Sequence, residues 1–171
     1  TAIFRTGVSW SALYMSADLV FKMGEYSATF PIDRMYVKNH MWAQRQNNGE
    51  LRFGLSSYAV RLLQDVYFLD LVIEPGMVLA ARQEIGSIES KKAESSLYSP
   101  IAGIVTALND ALLQDPTGIN LDKYGEGWMF ELETKSTADA PPALLEPAQY
   151  MEHLTTAWEV AQRTIKGQAN A

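Results

Sequence analysis

Two adjacent lysines, Lys91 and Lys92, stand at the centre of the run Ile88-Glu89-Ser90-Lys91-Lys92-Ala93-Glu94-Ser95. Upstream, the residues from Gln83 to Ile88 alternate polar with apolar or small side chains. Downstream, Ser95 to Val105 reads as extended segments broken at Ser99-Pro100 and Gly103. Polar residues between two such runs predict a hairpin tip projecting into water. A lysine at such a tip is badly placed to act as a buried base, because nothing strips water from its ammonium group. It is well placed to carry a covalently attached group on a long, mobile stem. Taken alone, the eight residues also describe a solvated charged turn, with Glu89 and Glu94 in surface pairs worth little.

The elements that must hold this tip are mostly strands. Strand-like runs occur at Glu50–Leu55, Val66–Ile73, Met77–Ala80, Gln83–Ile88, Ile104–Leu108 and Trp128–Glu133. Leu51, Phe53 and Leu55 alternate with polar or small residues, as do Trp128, Phe130 and Leu132, the pattern of half-buried strands. Short strands punctuated by Gly and Pro predict an antiparallel sandwich or barrel. Short helices fit between them. Ser56 or Ser57 can cap Tyr58–Gln64, turning Tyr58, Leu62, Ala59 and Leu63 toward the core, and Asn109–Gln114 is stopped by Asp115-Pro116.

Composition narrows the chemistry. The chain has 171 residues, 47% of them hydrophobic, enough for one domain with a core. It has no cysteine, which excludes structural disulfides and thiolate metal sites. His40 and His153 are the two imidazoles and lie on separate elements; His40 reads as a packing and hydrogen-bonding residue beside Trp42. There is no HExxH, nucleophile elbow or glycine-rich phosphate loop. The net charge of −6 argues against nucleic-acid binding and suits encounters with basic protein surfaces. These features do not describe a catalyst.

From Tyr36 to Thr134 a series of ordered blocks resembles the lipoyl-carrying H-protein family of the glycine cleavage system. His40-Met41-Trp42 is similar to the family's His-Glu-Trp block, and Phe53-Gly54-Leu55-Ser56-Ser57-Tyr58-Ala59 to its Gly-hydrophobic-Thr-Asp-x-Ala segment. Asp65-Val66-Tyr67-Phe68 and Glu74-Pro75-Gly76 follow in order. Glu89-Ser90-Lys91-Lys92-Ala93 matches Glu-Ser-x-Lys-Ala, in which the lysine before alanine carries lipoate. Leu97-Tyr98-Ser99-Pro100-Ile101-Ala102-Gly103 and Tyr124-Gly125-Glu126-Gly127-Trp128 complete the series.

The resemblance implies a mainly β fold, a lipoyl-domain-like barrel-sandwich hybrid with short helices. It implies covalent lipoate on Lys92, with Glu89, Ser90, Lys91 and Ala93 forming the recognised attachment hairpin. His40, Met41 and Ser96 mark a candidate cleft for the arm. With no cysteine, any disulfide chemistry comes from the added dithiolane. The implied role is a non-catalytic carrier that shuttles an aminomethyl intermediate and reducing equivalents. The implied partners are a pyridoxal-phosphate glycine decarboxylase, a tetrahydrofolate aminomethyltransferase and a dihydrolipoamide dehydrogenase. A lipoate ligase or lipoyl/octanoyl transferase would attach the group, in the cytoplasm or, in a eukaryote, the mitochondrial matrix. Biotin is disfavoured, since the lysine lacks the flanking methionines of biotinyl domains.

Several positions depart from the family pattern. Met41 replaces the acidic residue between His and Trp, and Ser96 replaces an aspartate four residues after the lipoyl lysine. Both family carboxylates would help hold an ammonium group through charge-assisted bonds. Gln64 stands where the family has glycine, and one extra residue separates Phe68 from Pro75-Gly76. These departures raise an alternative, an H-protein-like lipoate carrier for sulfur oxidation or lipoyl relay. A third reading is an unmodified module that binds a partner through its ends.

Those ends extend beyond the resemblance. Residues 1–35 form an N-terminal extension predicted to be helical, with Trp10, Leu13, Tyr14, Ala17, Val20 and Phe21 at helical spacing and Gly24 as the stop. This stretch is too polar and interrupted for a membrane span or a secretory signal. The chain opens on Thr1, which is compatible with residues upstream of it. The carrier-like domain covers 36–135, a Pro/Ala-rich linker 136–146, and a C-terminal amphipathic helix and tail 147–171. Pro147 suits the first turn of a helix running to about Lys166. Tyr150, Met151, Leu154, Ala157, Trp158, Ala161 and Ile165 form its apolar stripe, a surface for packing on the sheet or on a partner.

Overall fold

The computed structural model describes residues 18–134 and 143–169. The chain forms β1 (Leu19–Met23), β2 (Tyr26–Phe30), β3 (Met35–Tyr36), β4 (Met41–Arg45) and β5 (Leu51–Leu55), then helix α1 (Ser57–Leu63). There follow β6 (Val66–Leu71), β7 (Val78–Leu79), β8 (Glu84–Ser90), β9 (Glu94–Tyr98) and β10 (Gly103–Leu108). The short helices α2 (Asp110–Gln114) and α3 (Gly118–Leu121), strand β11 (Phe130–Glu133) and the long helix α4 (Pro147–Ala169) complete it. The strands make a six-stranded sheet in the order β3-β4-β5-β11-β10-β7, a three-stranded sheet β6-β8-β9 and a separate β1-β2 hairpin. This is the mainly β sandwich that the alternation predicts; the sheets do not close into a barrel.

The main core lies between the two larger sheets. Phe53 and Phe130, paired across β5 and β11, stack with ring centroids 5.4 Å apart. Ile85, Ile88, Leu97 and Val105 complete that core with less than a tenth of their surface exposed. A second cluster joins the β1-β2 hairpin, α1 and α4 through Met23, Phe30, Tyr36, Trp42, Tyr58, Tyr150 and Leu154.

Val20 and Phe21 lie in a strand, where helical spacing predicted the end of a helix. Burial along β1 alternates with period two and ends on buried Met23, because the segment pairs with β2 from Leu19↔Phe30 to Met23↔Tyr26. Gly24, at φ +65°, opens the two-residue turn between them rather than stopping a helix. Trp10, Leu13, Tyr14 and Ala17, and most of the expected linker, lie outside the described residues. Leu62 is 38% exposed rather than turned into the core. Ser56 takes the N-cap position of α1, yet its hydroxyl makes no cap bond, because it is drawn to Tyr150 instead.

Trp42 is fully buried and fixed from three sides. Its indole N–H donates to the Lys123 carbonyl at 2.9 Å, the Arg34 guanidinium lies 4.7 Å from its ring, and Gly54 of the neighbouring strand lies beneath it. A Cβ at Gly54 would approach the indole to 2.6 Å. Gly54→Ala is therefore expected to destabilise the fold by about 1–3 kcal/mol, the usual cost of overpacking, read as a lowered urea midpoint with unchanged m-value.

Candidate functional site

The β8–β9 hairpin carries both lysines at its tip. Its register runs from Ser87↔Ser96 through Ile88↔Ser95 to Glu89↔Glu94, leaving Ser90 to Ala93 to make the turn. On β8, Ile88 and Ser90 face inward while Glu89 is half-buried on the other face, the period-two alternation expected of a strand. Ser90 builds the tip. Its N–H donates to the Ala93 carbonyl at 2.9 Å, and its hydroxyl donates to the same carbonyl at 3.1 Å. The hydroxyl also accepts the Lys92 N–H at 3.3 Å and the Ala93 N–H at 3.2 Å. One buried side chain thus satisfies the backbone of the turn, while the side chains of Lys91 and Lys92 remain exposed.

The tip is also tied to the end of α1. The Lys91 N–H is shared between the carbonyls of Gln64, at 3.2 Å, and Asp65, at 3.3 Å. Those two residues adopt φ values of +51° and +42°, a region that side chains other than glycine rarely occupy. The strain falls where the resemblance places a glycine, and it turns two carbonyls toward the hairpin. The lysines thereby differ in role: the backbone of Lys91 anchors the tip, and the side chain of Lys92 reaches a groove beside it.

The candidate cleft residues lie apart in character. Met41 is 1% exposed and packs in the main core, so its side chain presents no wall to an arm. Ser96 is exposed on β9, opposite Ser87. His40 is half-buried at φ +70°, 4.5 Å between ring centroids from Tyr58 and 5.7 Å from His153. Its Nδ1 shares a 2.8 Å hydrogen bond with the Tyr150 hydroxyl, which also meets the Ser56 hydroxyl at 3.0 Å. Burial, with the His153 charge second, lowers the His40 pKa from 6.5 to about 4. Burial also raises the Tyr150 hydroxyl above the usual phenol range, so both partners are held neutral. This group is structural: it fastens α4 to the lead into β4 and to the N-terminus of α1. The sequence showed His40 as a packing residue but did not show Tyr150 as its partner, since 110 positions separate them.

The described residues thus form a two-layer β domain that presents an exposed lysine pair at the tip of a fixed hairpin. A sequence model described as Glycine cleavage H-protein matches residues 34–157. Glycine cleavage system H protein from Psychrobacter cryohalolentis is 39% identical over 127 residues, covering 74% of this chain and 99% of that protein. The one from Stenotrophomonas maltophilia strain K279a is 42% identical over 124 residues, covering 72% and 93%. A crystal structure of a glycine cleavage system H protein from Mycobacterium marinum superposes with a TM-score of 0.64 at 30% identity, covering 74% of this chain and 99% of that one. The chain belongs to the glycine cleavage H-protein family, and it is a non-catalytic carrier component rather than an enzyme. Among the described residues, no helix is long and apolar enough to cross a membrane.

Two measurements check the local physics. Because folding lowers the His40 pKa from 6.5 to about 4, the unfolded chain takes up a proton there that the folded chain refuses. Stability from this group is full above pH 6.5 and falls as pH drops through the window, by roughly 3 kcal/mol near pH 4. Urea midpoints of wild type and His40→Asn should converge as pH falls from 7 to 4, the wild type losing more. Separately, Gln64→Gly is expected to raise stability by about 0.5–1 kcal/mol, relief of strain exceeding the added chain entropy, read from the same midpoints at pH 7.

Proposed function

We propose that Lys92 is the lipoyl attachment site and that the protein carries its arm between the enzymes of glycine cleavage. The observation that supports this most is the hairpin itself. Its backbone is fixed by Ser90 and by the Gln64 and Asp65 carbonyls, and it leaves the Lys92 amine exposed and free of an ion pair among the described residues. A modifying enzyme needs such a rigid, reachable amine. Glu89, Lys91 and Ala93 form the surface that a lipoate ligase or lipoyl/octanoyl transferase would grip, with Glu89 opposite Glu94 and the buried Ser90 setting the turn from within. The residues fit the group, because the amine is exposed and an apolar groove adjoins it. When bound, lipoate supplies a redox-active disulfide that the cysteine-free chain lacks.

What the chain contributes is placement. A tether converts encounters with successive enzymes into local ones, because effective concentration is set by the arm's reach. The proposed clients are a pyridoxal-phosphate glycine decarboxylase, a tetrahydrofolate aminomethyltransferase and a dihydrolipoamide dehydrogenase. The chain's −6 net charge favours encounters with basic entrances on such enzymes. Met41 and Ser96 favour a second reading, a lipoate carrier of the same build serving another pathway, since neither supplies a carboxylate for an ammonium load.

Peptide mass spectrometry after co-expression with lipoate and a lipoate ligase should show a lipoyl mass on Lys92 that is absent from Lys92→Arg. Glycine-dependent reduction of that lipoyl group by a glycine decarboxylase would then select the first reading over the second. An unmodified chain beside a lipoylated control H-protein would overturn the attachment assignment.

A further inference from the structure

A cleft lies at the opposite end of β9 from the hairpin tip, between the turn joining β3 to β4 and the turn joining β7 to β8. Its volume is about 350 Å³, within the roughly 300–1,000 Å³ range of small-molecule sites. Val37, Pro100 and Leu145 give it apolar walls, and the exposed Lys38 and Arg82 line it as well. No aspartate or glutamate lines it. Among the described residues, neither cation has an ion-pair partner.

The neutral polar groups of the cleft are already committed. The Ser99 hydroxyl donates to the Ile101 carbonyl at 2.7 Å. The Asn39 amide donates to the Tyr98 carbonyl at 3.3 Å and accepts the Met41 N–H at 3.1 Å. What the lining leaves uncompensated is the charge of the two cations. Arg82, moreover, holds its place against backbone preference. Its φ is +67°, in the left-handed region that favours glycine. Its N–H donates to the Ser99 carbonyl at 2.9 Å, and the Ser99 N–H donates to the Gln83 carbonyl at 2.7 Å, so the turn is fixed in that conformation. Glycine would make the same turn without strain. Strain that sets a guanidinium in one cleft with an ammonium, in a chain of net charge −6, points to a ligand rather than to folding.

We propose that this cleft binds a small organic phosphate monoester, its dianionic phosphate between Lys38 and Arg82 and its apolar body against Val37, Pro100 and Leu145. The guanidinium fork matches two phosphate oxygens, and the ammonium adds a point charge. A dianion compensates both cations, which a single carboxylate does not. The apolar walls favour an ester over free phosphate, since inorganic phosphate has no apolar surface to bury. A ligand there joins the two turns to the chain at Leu145, whose backbone pairs with Tyr36. The site lies apart from Lys92 and does not require its modification.

Isothermal titration calorimetry of the full chain with phenyl phosphate at low ionic strength tests the site. Binding should saturate at one site per chain and be about tenfold tighter than that of inorganic phosphate. Arg82→Gly and Lys38→Gln should each weaken it about tenfold or more, the loss of one charge-assisted contact. Lys22→Gln, on β1, should leave it unchanged. Because glycine suits the left-handed turn, the urea midpoint of Arg82→Gly should equal or exceed that of wild type while its affinity falls, a split that a merely structural role does not produce. Amide shifts during titration should fall in residues 37–40, 80–83 and 99–101 and spare the tip at 90–93. Absent binding, unchanged affinity in either cleft variant, an equal loss in Lys22→Gln, or shifts centred on the tip would overturn the assignment. Equal affinity for inorganic phosphate would overturn the organic ester as its ligand.

Discussion

The hydroxyl of Tyr150 is the point on which the arrangement around Lys92 depends. It meets His40 and Ser56 within hydrogen-bond distance, while its ring stacks on Tyr36 at 4.7 Å and meets Phe30 edge-on. One side chain thus joins α4 to the lead into β4, the start of α1 and the β1-β2 hairpin. A buried polar cluster of this kind is stable only when every member is paired and neutral. Burial meets the second condition, holding the imidazole and the phenol uncharged. If α4 were not fixed there, Trp158 would not stand beside the carrier hairpin.

The hairpin solves a different problem. A carrier lysine must be reachable by several enzymes, so it cannot be buried, yet a modifying enzyme needs a fixed shape to recognise. Ser90 reconciles these demands by burying one hydroxyl that holds the turn's backbone. The carbonyls of Gln64 and Asp65 complete the fixation at the cost of two left-handed backbones. Order is concentrated in the main chain and freedom is left to the Lys92 side chain.

The positions that depart from the family pattern and the segments that flank it lie in different surroundings. Positions that the resemblance associates with carboxylates hold Met41, which is in the core, and Ser96, which is neutral. Meanwhile β1 and the far part of α4 bring Met23 and Trp158 to the edge of the tip.

Much of this protein was legible in its residues. Alternation located β5, β8 and β11, because a strand with one buried face must repeat every two residues, strand-like runs marked β6, β7 and β10, and the run Asn109–Gln114 stopped by Asp115-Pro116 marked α2. The Glu-Ser-x-Lys-Ala motif pointed to the β8–β9 hairpin and favoured Lys92 over Lys91, which charge and exposure could not do. Local pattern failed where distant chain decided the outcome. Val20 and Phe21 fit helical spacing until pairing with β2 made them a strand, and Ser56 looked like a helix cap until Tyr150 claimed its hydroxyl. Leu62 was expected in the core, yet it is exposed beside a groove whose other wall comes from residues nearly a hundred positions later. The sequence alone determined the hairpin that presents Lys91 and Lys92, because its residues are contiguous and alternate along both strands. Only the tertiary structure decided what lies beside that hairpin, because packing between the two ends of the chain brings those side chains together.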